Sequence, residues 1–426
     1  MQELIGWPRP RQVLISALIA CLCLLYAWHF LLPIVGPQTP RADDFQDYLY
    51  AAHQIASGGD PYGNFARTHV PWDWSLSSGY VYPAAFAAML VPLTWLPNDL
   101  AVRLWLLLIQ GSIVASVVIM YAVLGRPRRP ELLALVTVLT TFFPLLNTMW
   151  TGAMNALLLL LLTAAWACWR KRADVASGSL IAIAAVFKIF PVVVLGYLAW
   201  RRDWRLVGAA VVTGIAGLGL CLLVTGLAHN LYYFGEMLPH LAVGTGFREN
   251  QSLAGLSARL CNPATADHGG GAGWCGRLVD WPAVLVIVGL TGYAARRGSR
   301  SALEFGLAIT AMSLISSVTW SFHLVVLIFP IVLLVREVIQ HQATPARTRL
   351  LFLAWLCFSA GAGAHYALIA SPLPHWPGLL DLAPKAATWL LGESYLVGTL
   401  ILFASVLLAL RQERRRAVAM AGALAA

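Results

Sequence analysis

The amino-acid sequence predicts an all-α polytopic membrane protein with a single integral membrane domain over residues 1–426. Of its 426 residues, 59% are hydrophobic and only 11% are charged, whereas a soluble domain carries about 25% charged residues. The apolar residues occur in long runs such as 12–32 and 156–169, and a single soluble core stops growing at about 250–300 residues. These observations exclude an intrinsically disordered chain, a fibrous repeat and a disulfide-rich secreted scaffold.

Twelve apolar segments are predicted to cross or enter the membrane. A spanning helix needs about 20 apolar residues, and a shorter segment is tolerated where the helix is broken. The segments are 12–32, 100–124, 131–147, 153–169, 177–187, 190–200, 206–226, 282–295, 301–316, 322–335, 350–370 and 386–410. Residues 81–97 are also apolar but contain three prolines, so they are predicted to form a juxtamembrane helix on the outer surface.

The basic residues predict the orientation in the cell membrane. Most of the 29 Lys and Arg residues stand in short groups between apolar segments, for example at 126–129, 170–172 and 201–205, and such groups remain cytoplasmic. With twelve spans, both termini are then cytoplasmic, and two large loops, 33–97 and 227–281, face the other side. The net charge of +10 is therefore a topology signal, and no nucleic-acid partner is expected.

The first outer loop begins with a group of carboxylates. Asp43, Asp44 and Asp47 stand close together at the start of a helix predicted over 45–56. Partial desolvation near the membrane raises the pKa of a carboxylate toward the working range of a general base, and three carboxylates also suit a cation site. The alternative is that Asp43 or Asp44 only caps the helix.

Lys188 stands between two short apolar segments, 177–187 and 190–200, which are predicted to meet at a break formed by 188–191. A charged side chain in an apolar stretch costs roughly 2.5–3.5 kcal/mol and therefore indicates function. Here the ammonium could bind a phosphate or an acid, and the alternative is that it extends to the membrane surface.

His323 and Trp320 stand at the outer end of another predicted span. The imidazole could hydrogen-bond a phosphate or orient a carboxylate. Trp320 could equally be an ordinary interfacial anchor.

Amide side chains form two clusters on the same predicted face. Asn147 and Asn155 belong to the first, and Asn250 and Gln251 belong to the second. Amides supply both donors and acceptors, which suits sugar hydroxyls, although they are equally common in turns and caps.

Cofactor signatures are missing from the sequence. The ten histidines are not spaced as metal ligands, and no phosphate-binding G-x-x-x-x-G-K-[ST] motif occurs. No metal, nucleotide or other cofactor is expected. Cys261 and Cys275 share an outer polar loop, where oxidation is permitted, and are candidates for a disulfide.

Six blocks of residues follow one another in the order of a known family's motifs. They are Asp44-Phe45 with Tyr48 and Gly59-Asp60-Pro61-Tyr62; Tyr82-Pro83; Gly152 with Asn155; Lys188 and Pro191 with Arg201-Arg202-Asp203-Trp204-Arg205; Asn250-Gln251-Ser252-Leu253; and Ser316 to His323. The set resembles glycosyltransferase family 87, whose members use polyprenyl-phosphate mannose as donor. Within it, Ala153 replaces a glutamine and Phe322 replaces a histidine of the family pattern.

The resemblance implies a GT-C architecture, a multi-span helical bundle whose catalytic loops face away from the cytoplasm. By this resemblance Asp44 is the catalytic carboxylate, and Lys188 and His323 lie near the donor phosphate. The other candidate substrate-binding residues are Asp43, Tyr48, Tyr82, Asn155, Asn250, Gln251 and Trp320.

The predicted function is an inverting transfer of a hexose, with mannose as the first choice. The sugar moves from a polyprenyl-phosphate donor to a lipid-linked or glycan hydroxyl at the outer face, with Asp44 as general base. A donor held in the membrane explains why no nucleotide-binding domain is present. A transporter or flippase of lipid-linked sugars is the main alternative, and it predicts paired broken segments in two halves of the chain. A structural membrane protein is a second alternative, which leaves Lys188 unexplained.

Overall fold

Helices form the regular structure of this protein. The structure is a computed structural model that describes residues 9–63, 79–295, 299–363, 365 and 390–425, and these residues contain no β-strand. The α-helices are α1 (Arg9–Tyr26), α2 (Leu32–Val35), α3 (Asp43–Ser57), α4 (Ala84–Leu90), α5 (Asn98–Leu124), α6 (Arg129–Thr141), α7 (Phe143–Thr151), α8 (Asn155–Arg170), α9 (Asp174–Phe187), α10 (Val192–Trp200), α11 (Trp204–Thr225), α12 (Leu227–Tyr232), α13 (Leu238–Val243), α14 (Leu253–Cys261), α15 (Thr265–His268), α16 (Gly273–Ala294), α17 (Ala302–Ile315), α18 (Ile328–Ile339), α19 (Pro345–Phe358) and α20 (Ser394–Ala425).

Short π and 3₁₀ segments extend several of these helices. A π-helical turn at Ala27–Leu31 joins α1 to α2, and another at Tyr233–Met237 joins α12 to α13. A 3₁₀ segment at Val91–Trp95 follows α4, and one at Ser321–Leu327 leads into α18.

Six of the described helices are long and apolar enough to cross a membrane. They are Gln12–Val35, Asn98–Leu124, Trp204–Thr225, Gly273–Ala294, Ser321–Ile339 and Ser394–Met420. The bent pair α6 and α7 raises the number to seven if it counts as one span. The protein is therefore a multi-pass membrane protein. Each predicted segment has a helix at its position, but the predicted number of twelve spans is not confirmed.

Two predicted details of the helices are confirmed. The break at 188–191 separates α9 from α10, and the apolar stretch 81–97 contains α4 and its 3₁₀ extension. The far end of the segment 350–370, the start of the segment 386–410, the turn between them and residues 64–78 of the first outer loop lie outside the described residues.

The segment predicted over 131–147 is not one continuous helix. The chain forms two helices there, α6 and α7, which meet at Phe142 with a bend of 51°. Pro144 lies in the first turn of α7, and a proline restricts the residue before it and lacks a backbone donor for the preceding turn. Helix α7 continues to Thr151, beyond the predicted end of the segment at residue 147.

Residues 227–281, predicted as the second outer loop, are also more helical than predicted. It holds α12 to α15 and the first residues of α16, which begins at Gly273 and contains Pro282 in its interior. The prediction had begun this span at residue 282. Similarly, α20 continues through the basic group at 411–416 to Ala425.

Arginine side chains tie the helices together at one end of the bundle. Arg201 pairs with Glu304, which also binds Arg414 at 3.0 Å. Arg300 pairs with Asp174 at 2.6 Å. α8 ends at Arg170 beside this cluster and starts at Asn155, about 24 Å away for a helix of this length. The bundle therefore has a basic end and an opposite end, where the candidate site lies.

Candidate active site

Helix α3 carries the predicted catalytic carboxylate. It begins at Asp43, and the residue before it, Ala42, makes no side-chain cap, so the capping alternative is not what the structure has. Asp43 and Asp44 lie in the first turn. The buried face of the helix includes Phe45 and Tyr48, and Phe45 stacks on Trp105 with ring centroids 5.0 Å apart.

Gly152 allows α3 to approach the junction of α7 and α8. Its φ is +70°, and a Cβ there would lie 3.0 Å from the Cβ of Ala42 and 3.1 Å from that of Phe45. The indole N–H of Trp105 donates a hydrogen bond to the Gly152 carbonyl at 2.6 Å. Since only glycine adopts this φ without strain, Gly152 fixes the distance between Asp44 and the start of α8.

A cavity of about 330 Å³ opens beside the first turn of α3. Its lining residues are Asp43, Asp44, Asp47, Tyr48, Gly79, Val81, Tyr82, Asn147, Thr151, Phe247, Glu249, Trp320 and Phe322. They come from segments that are far apart in sequence. Five of the predicted site residues, namely Asp43, Asp44, Tyr48, Tyr82 and Trp320, are thus brought to one cavity.

Burial gives Asp44 the pKa of a general base. Desolvation raises the pKa of Asp44 to about 7, against the opposing attraction of Lys188. The neighbouring carboxylates of Asp47 and Asp43 raise the pKa further, and a hydrogen bond from Tyr48 lowers it. A carboxylate with a pKa near the working pH can take a proton from a hydroxyl group.

Asp47 has a different local role. Its Oδ2 accepts a hydrogen bond from the Gly79 backbone N–H at 2.8 Å. Burial raises the pKa of Asp47 to about 6, and this hydrogen bond partly opposes the rise. Asp47 therefore holds the chain at Gly79 against α3.

Lys188, His323 and Asn155 form a buried polar group next to the cavity. The Lys188 ammonium lies 2.7 Å from Nε2 of His323 and donates to Oδ1 of Asn155 at 3.2 Å. Lys188 is only 7% exposed, so its side chain does not extend to the membrane surface. Within the described residues, Nδ2 of Asn155 is buried and has no hydrogen-bond partner.

Tyr82 connects this polar group to the cavity. Its ring centroid lies 5.1 Å from Nζ of Lys188. Its hydroxyl is hydrogen-bonded to that of Tyr48 at 3.2 Å, and both tyrosines line the cavity. Asp44 also experiences the charge of Lys188. The base candidate and the cation candidate are therefore parts of one site.

Asn250 and Gln251 do not line the cavity. Nδ2 of Asn250 donates to the carbonyls of Thr245 at 2.7 Å and Ser317 at 3.0 Å, and its Oδ1 accepts from the Thr319 N–H at 2.8 Å. Nε2 of Gln251 donates to the carbonyl of Gly392 at 3.1 Å. In this structure both amides hold loop 244–252 in place.

Glu249, Phe247, Thr151 and Phe322 line the cavity but were not among the predicted site residues. Glu249 directly precedes Asn250 in the polar cluster that the sequence indicated, which is the only signal that pointed to it. A loop has no fixed side-chain periodicity, so the sequence could not show which neighbour faces the cavity.

Two further predictions concern a disulfide bond and a metal site. Cys261 and Cys275 form a disulfide that joins α14 to α16, which confirms the pairing considered from the sequence. In the described part of the chain, no group of three His, Cys, Asp or Glu side chains is arranged to hold a metal ion.

The family assignment follows from comparison with known proteins. The family model of glycosyltransferase family 87 matches residues 80–319, which is more than half of the chain and includes six of the thirteen residues that line the cavity. This chain belongs to glycosyltransferase family 87.

Characterised relatives carry closely similar names. A polyprenol-phosphate-mannose-dependent alpha-(1-2)-phosphatidylinositol pentamannoside mannosyltransferase of Mycobacterium tuberculosis is 27% identical over 321 residues, covering 71% of this chain and 67% of the relative. A protein with the same name from Mycolicibacterium smegmatis is 26% identical, and the match covers 73% of this chain and 72% of the relative. A polyprenol-phosphate-mannose-dependent alpha-(1-2)-phosphatidylinositol mannoside mannosyltransferase of M. smegmatis is also 26% identical, covering 67% and 68%. No solved structure gives a significant match.

Proposed function

We propose that this family 87 member transfers a hexose, with mannose as the first choice, from a polyprenyl-phosphate sugar to a hydroxyl of a lipid-linked or glycan acceptor. One observation carries the proposal. Asp44, whose pKa burial raises to about 7, lines a cavity that Tyr82 connects to the buried Lys188–His323 pair. A base and a cationic group in one site are what transfer from a sugar phosphate requires.

In this reaction Asp44 takes the proton of the acceptor hydroxyl. The oxygen then attacks the anomeric carbon from the face opposite the phosphate, so that the new glycosidic bond forms with inversion. The bond between the anomeric carbon and the phosphate oxygen breaks, and the polyprenyl phosphate leaves with the electron pair. Lys188, held by His323 and Asn155, stabilises the negative charge on the leaving phosphate.

The names of the relatives support the choice of donor. Each of those three relatives is described as polyprenol-phosphate-mannose-dependent. A donor with a lipid tail fits a chain with several membrane-spanning helices, and its phosphate fits a lysine at membrane depth.

The proposed test uses purified protein in detergent. Radiolabelled polyprenyl-phosphate mannose and polyprenyl-phosphate glucose are supplied with a panel of neutral alkyl glycosides, and the products are separated. We expect a labelled disaccharide glycoside from the mannose donor, formed about 10²–10⁴-fold more slowly by the Asp44→Asn variant. Failure of the wild-type protein to use either donor with any acceptor would contradict the proposal. Movement of intact donor across the bilayer of vesicles that contain the protein, without sugar transfer, would favour a flippase.

The proposed topology is a GT-C bundle of twelve segments in the cell membrane, with the site on the extracytoplasmic face. The shorter apolar helices α8, α9 and α17 would then count as membrane segments, shortened because the site lies between their ends. Basic groups such as Arg170, Arg201 and Arg300 lie at the opposite end of the bundle from the cavity, which favours a cytoplasmic position for that end and for both termini.

Cysteine labelling in intact cells tests this orientation. Gly63→Cys and Gly270→Cys place a thiol in each of the two predicted outer loops, with Cys261 and Cys275 retained. A membrane-impermeant maleimide should label both thiols from outside. Labelling of either position only after the cells are opened would contradict the scheme.

A further inference from the structure

A second wall of the cavity has no role in the mechanism above. It consists of Phe247 and Glu249 from loop 244–252 and of Trp320 from the turn before the 3₁₀ segment. The rings of Phe247 and Trp320 meet edge to face, with centroids 6.1 Å apart. This wall adds a fourth carboxylate to the three that α3 supplies.

Buried polar contacts fix the loop that carries Glu249. Arg259 is fully buried, donates to the carbonyls of Phe247 at 2.9 Å and Asn250 at 3.0 Å, and pairs with Glu393 at 2.6 Å. Gly255 makes this packing possible, since a Cβ there would lie 2.4 Å from the Asn250 carbonyl oxygen. The residues on both sides of Glu249 are therefore held by the scaffold, while Glu249 itself faces the cavity.

The carboxylate of Glu249 has no hydrogen-bond or ion-pair partner among the residues that the structure describes. The neighbouring cation, Arg248, pairs with Asp267. Within the described residues, no hydrogen bond or ion pair joins the Glu249 carboxylate to another side chain. Burial raises the pKa of Glu249 and the charge of Arg248 partly opposes this. A half-buried carboxylate in this position is stabilised by donors that a ligand brings.

The charge of the cavity limits which ligand fits. Among the described lining residues, four are carboxylates and none is Lys, Arg or His. An anionic ligand group would meet like charges at short range, whereas hydroxyl groups can donate to each carboxylate. The aromatic pair offers an apolar surface for the C–H face of a sugar ring.

From these observations we infer that Glu249 is a specificity-determining residue, which binds hydroxyl groups of an uncharged acceptor sugar and disfavours an acceptor ring that carries an acidic group. The inference rests on the proposed function. The donor phosphate lies toward Lys188, behind Tyr82, so the acidic part of the cavity is left for the acceptor.

The experiment compares Glu249→Gln with wild type on two acceptors. The first is the best neutral alkyl glycoside of the panel above, and the second is the same glycoside oxidised at C6 to its uronate. Glu236→Gln is the matched control, because Glu236 is an exposed carboxylate in the same outer region. Kinetic constants are measured for donor and acceptor separately, together with donor hydrolysis in the absence of acceptor.

We expect Glu249→Gln to raise KM for the neutral acceptor by about tenfold, the effect of losing a charge-assisted hydrogen bond. The donor KM and the rate of donor hydrolysis should stay at wild-type values, and the relative kcat/KM for the uronate should rise. Glu236→Gln should behave as wild type.

Two results would overturn the inference while leaving the proposed function intact. One is an unchanged acceptor KM in Glu249→Gln, and the other is an equal rise in the donor and acceptor KM values. A wild-type protein that transfers no sugar at all would overturn the proposed function and this inference with it.

Discussion

Glu304 at the basic end of the bundle is a buried carboxylate and Asp44 at the cavity end is a half-buried one, and their surroundings differ. Glu304 is fully buried and pairs with two guanidinium groups, Arg201 and Arg414. Asp44 lies in an open cavity, has two acidic neighbours and forms no ion pair within the described residues. Its nearest source of positive charge, Lys188, is bound to His323 and Asn155.

In the proposed function, this difference separates a structural carboxylate from a reactive one. Ion pairs of Glu304 with two arginines join α10, α17 and α20, so removing this carboxylate should weaken their packing. Asp44 is left with a pKa near neutrality and can exchange a proton at physiological pH. The same change, a carboxylate to its amide, should therefore have opposite consequences at the two ends.

The largest expected effect is that of Asp44→Asn on turnover. Removing a general base typically costs about 10²–10⁴-fold in rate, so kcat should fall by that factor with little change in donor KM. The amide avoids the desolvation of a charged group, so the midpoint of thermal unfolding should stay the same or rise. Both quantities can be measured on one detergent-purified preparation.

Glu304→Gln is the matched counterpart at the basic end. Removing one partner of a buried ion pair costs roughly 3–5 kcal/mol, so the unfolding midpoint should fall clearly while kcat per folded molecule stays near wild type. Loss of turnover in Glu304→Gln without loss of stability would remove the distinction between the two ends.

The second prediction compares two buried cations, Lys188 beside the cavity and Arg201 at the basic end. Lys188→Met removes the group assigned to the donor phosphate, so donor kcat/KM should fall by about 10–100-fold, as for a lost hydrogen bond to a charged group. Folding should be preserved, because no carboxylate loses an ion-pair partner. Arg201→Met should instead destabilise the protein, since Asp203 loses its ion-pair partner and Glu304 loses one of its two. If Lys188→Met retains full donor kcat/KM, its assignment to the phosphate is wrong.

A smaller effect is expected from substitution of Gly152, the glycine against which α3 packs. Gly152→Ala places a residue with a Cβ at positive φ, which costs roughly 1–2 kcal/mol. The added Cβ would also press against Ala42 and Phe45. Gly58→Ala is the control, because Gly58 has a φ of +74° and nothing within 4 Å of the added Cβ. Both variants should lose stability, but only Gly152→Ala should also lose activity, as α3 shifts with Asp44. Equal activity in the two variants would show that the close approach at Gly152 is not needed.

Much of the helical framework could be predicted from the sequence, because an apolar run long enough to enter a membrane must form a helix. The break at Lys188 was also predictable, since a charged residue and Pro191 interrupt an apolar stretch. The bend at Phe142 was not predicted, because the apolar length of a segment does not show whether a proline such as Pro144 begins a new helix. The helices α12 to α15 within 227–281 were missed because they are short, with four to nine residues each.

The candidate site was predictable only in part, for a geometric reason. Asp44, Lys188 and His323 each stood out locally, and the structure brings Lys188 to His323 and places Asp44 in the adjoining cavity. In loop 244–252, however, the amides of Asn250 and Gln251 bind backbone groups while Glu249 faces the cavity. Such a choice between neighbours depends on tertiary contacts, here those of Arg259 and Ser317, that no local pattern reveals.

The pH dependence of kcat/KM tests the central assignment most directly. A general base works only when ionised, and the pKa of Asp44 is raised to about 7, so activity should be low in mild acid and rise through neutral pH. The residual activity of Asp44→Asn should lack this rise, while Asp43→Asn should keep it. A wild-type profile that is flat through neutral pH, or the same rise in Asp44→Asn, would contradict the assignment of Asp44 as the base.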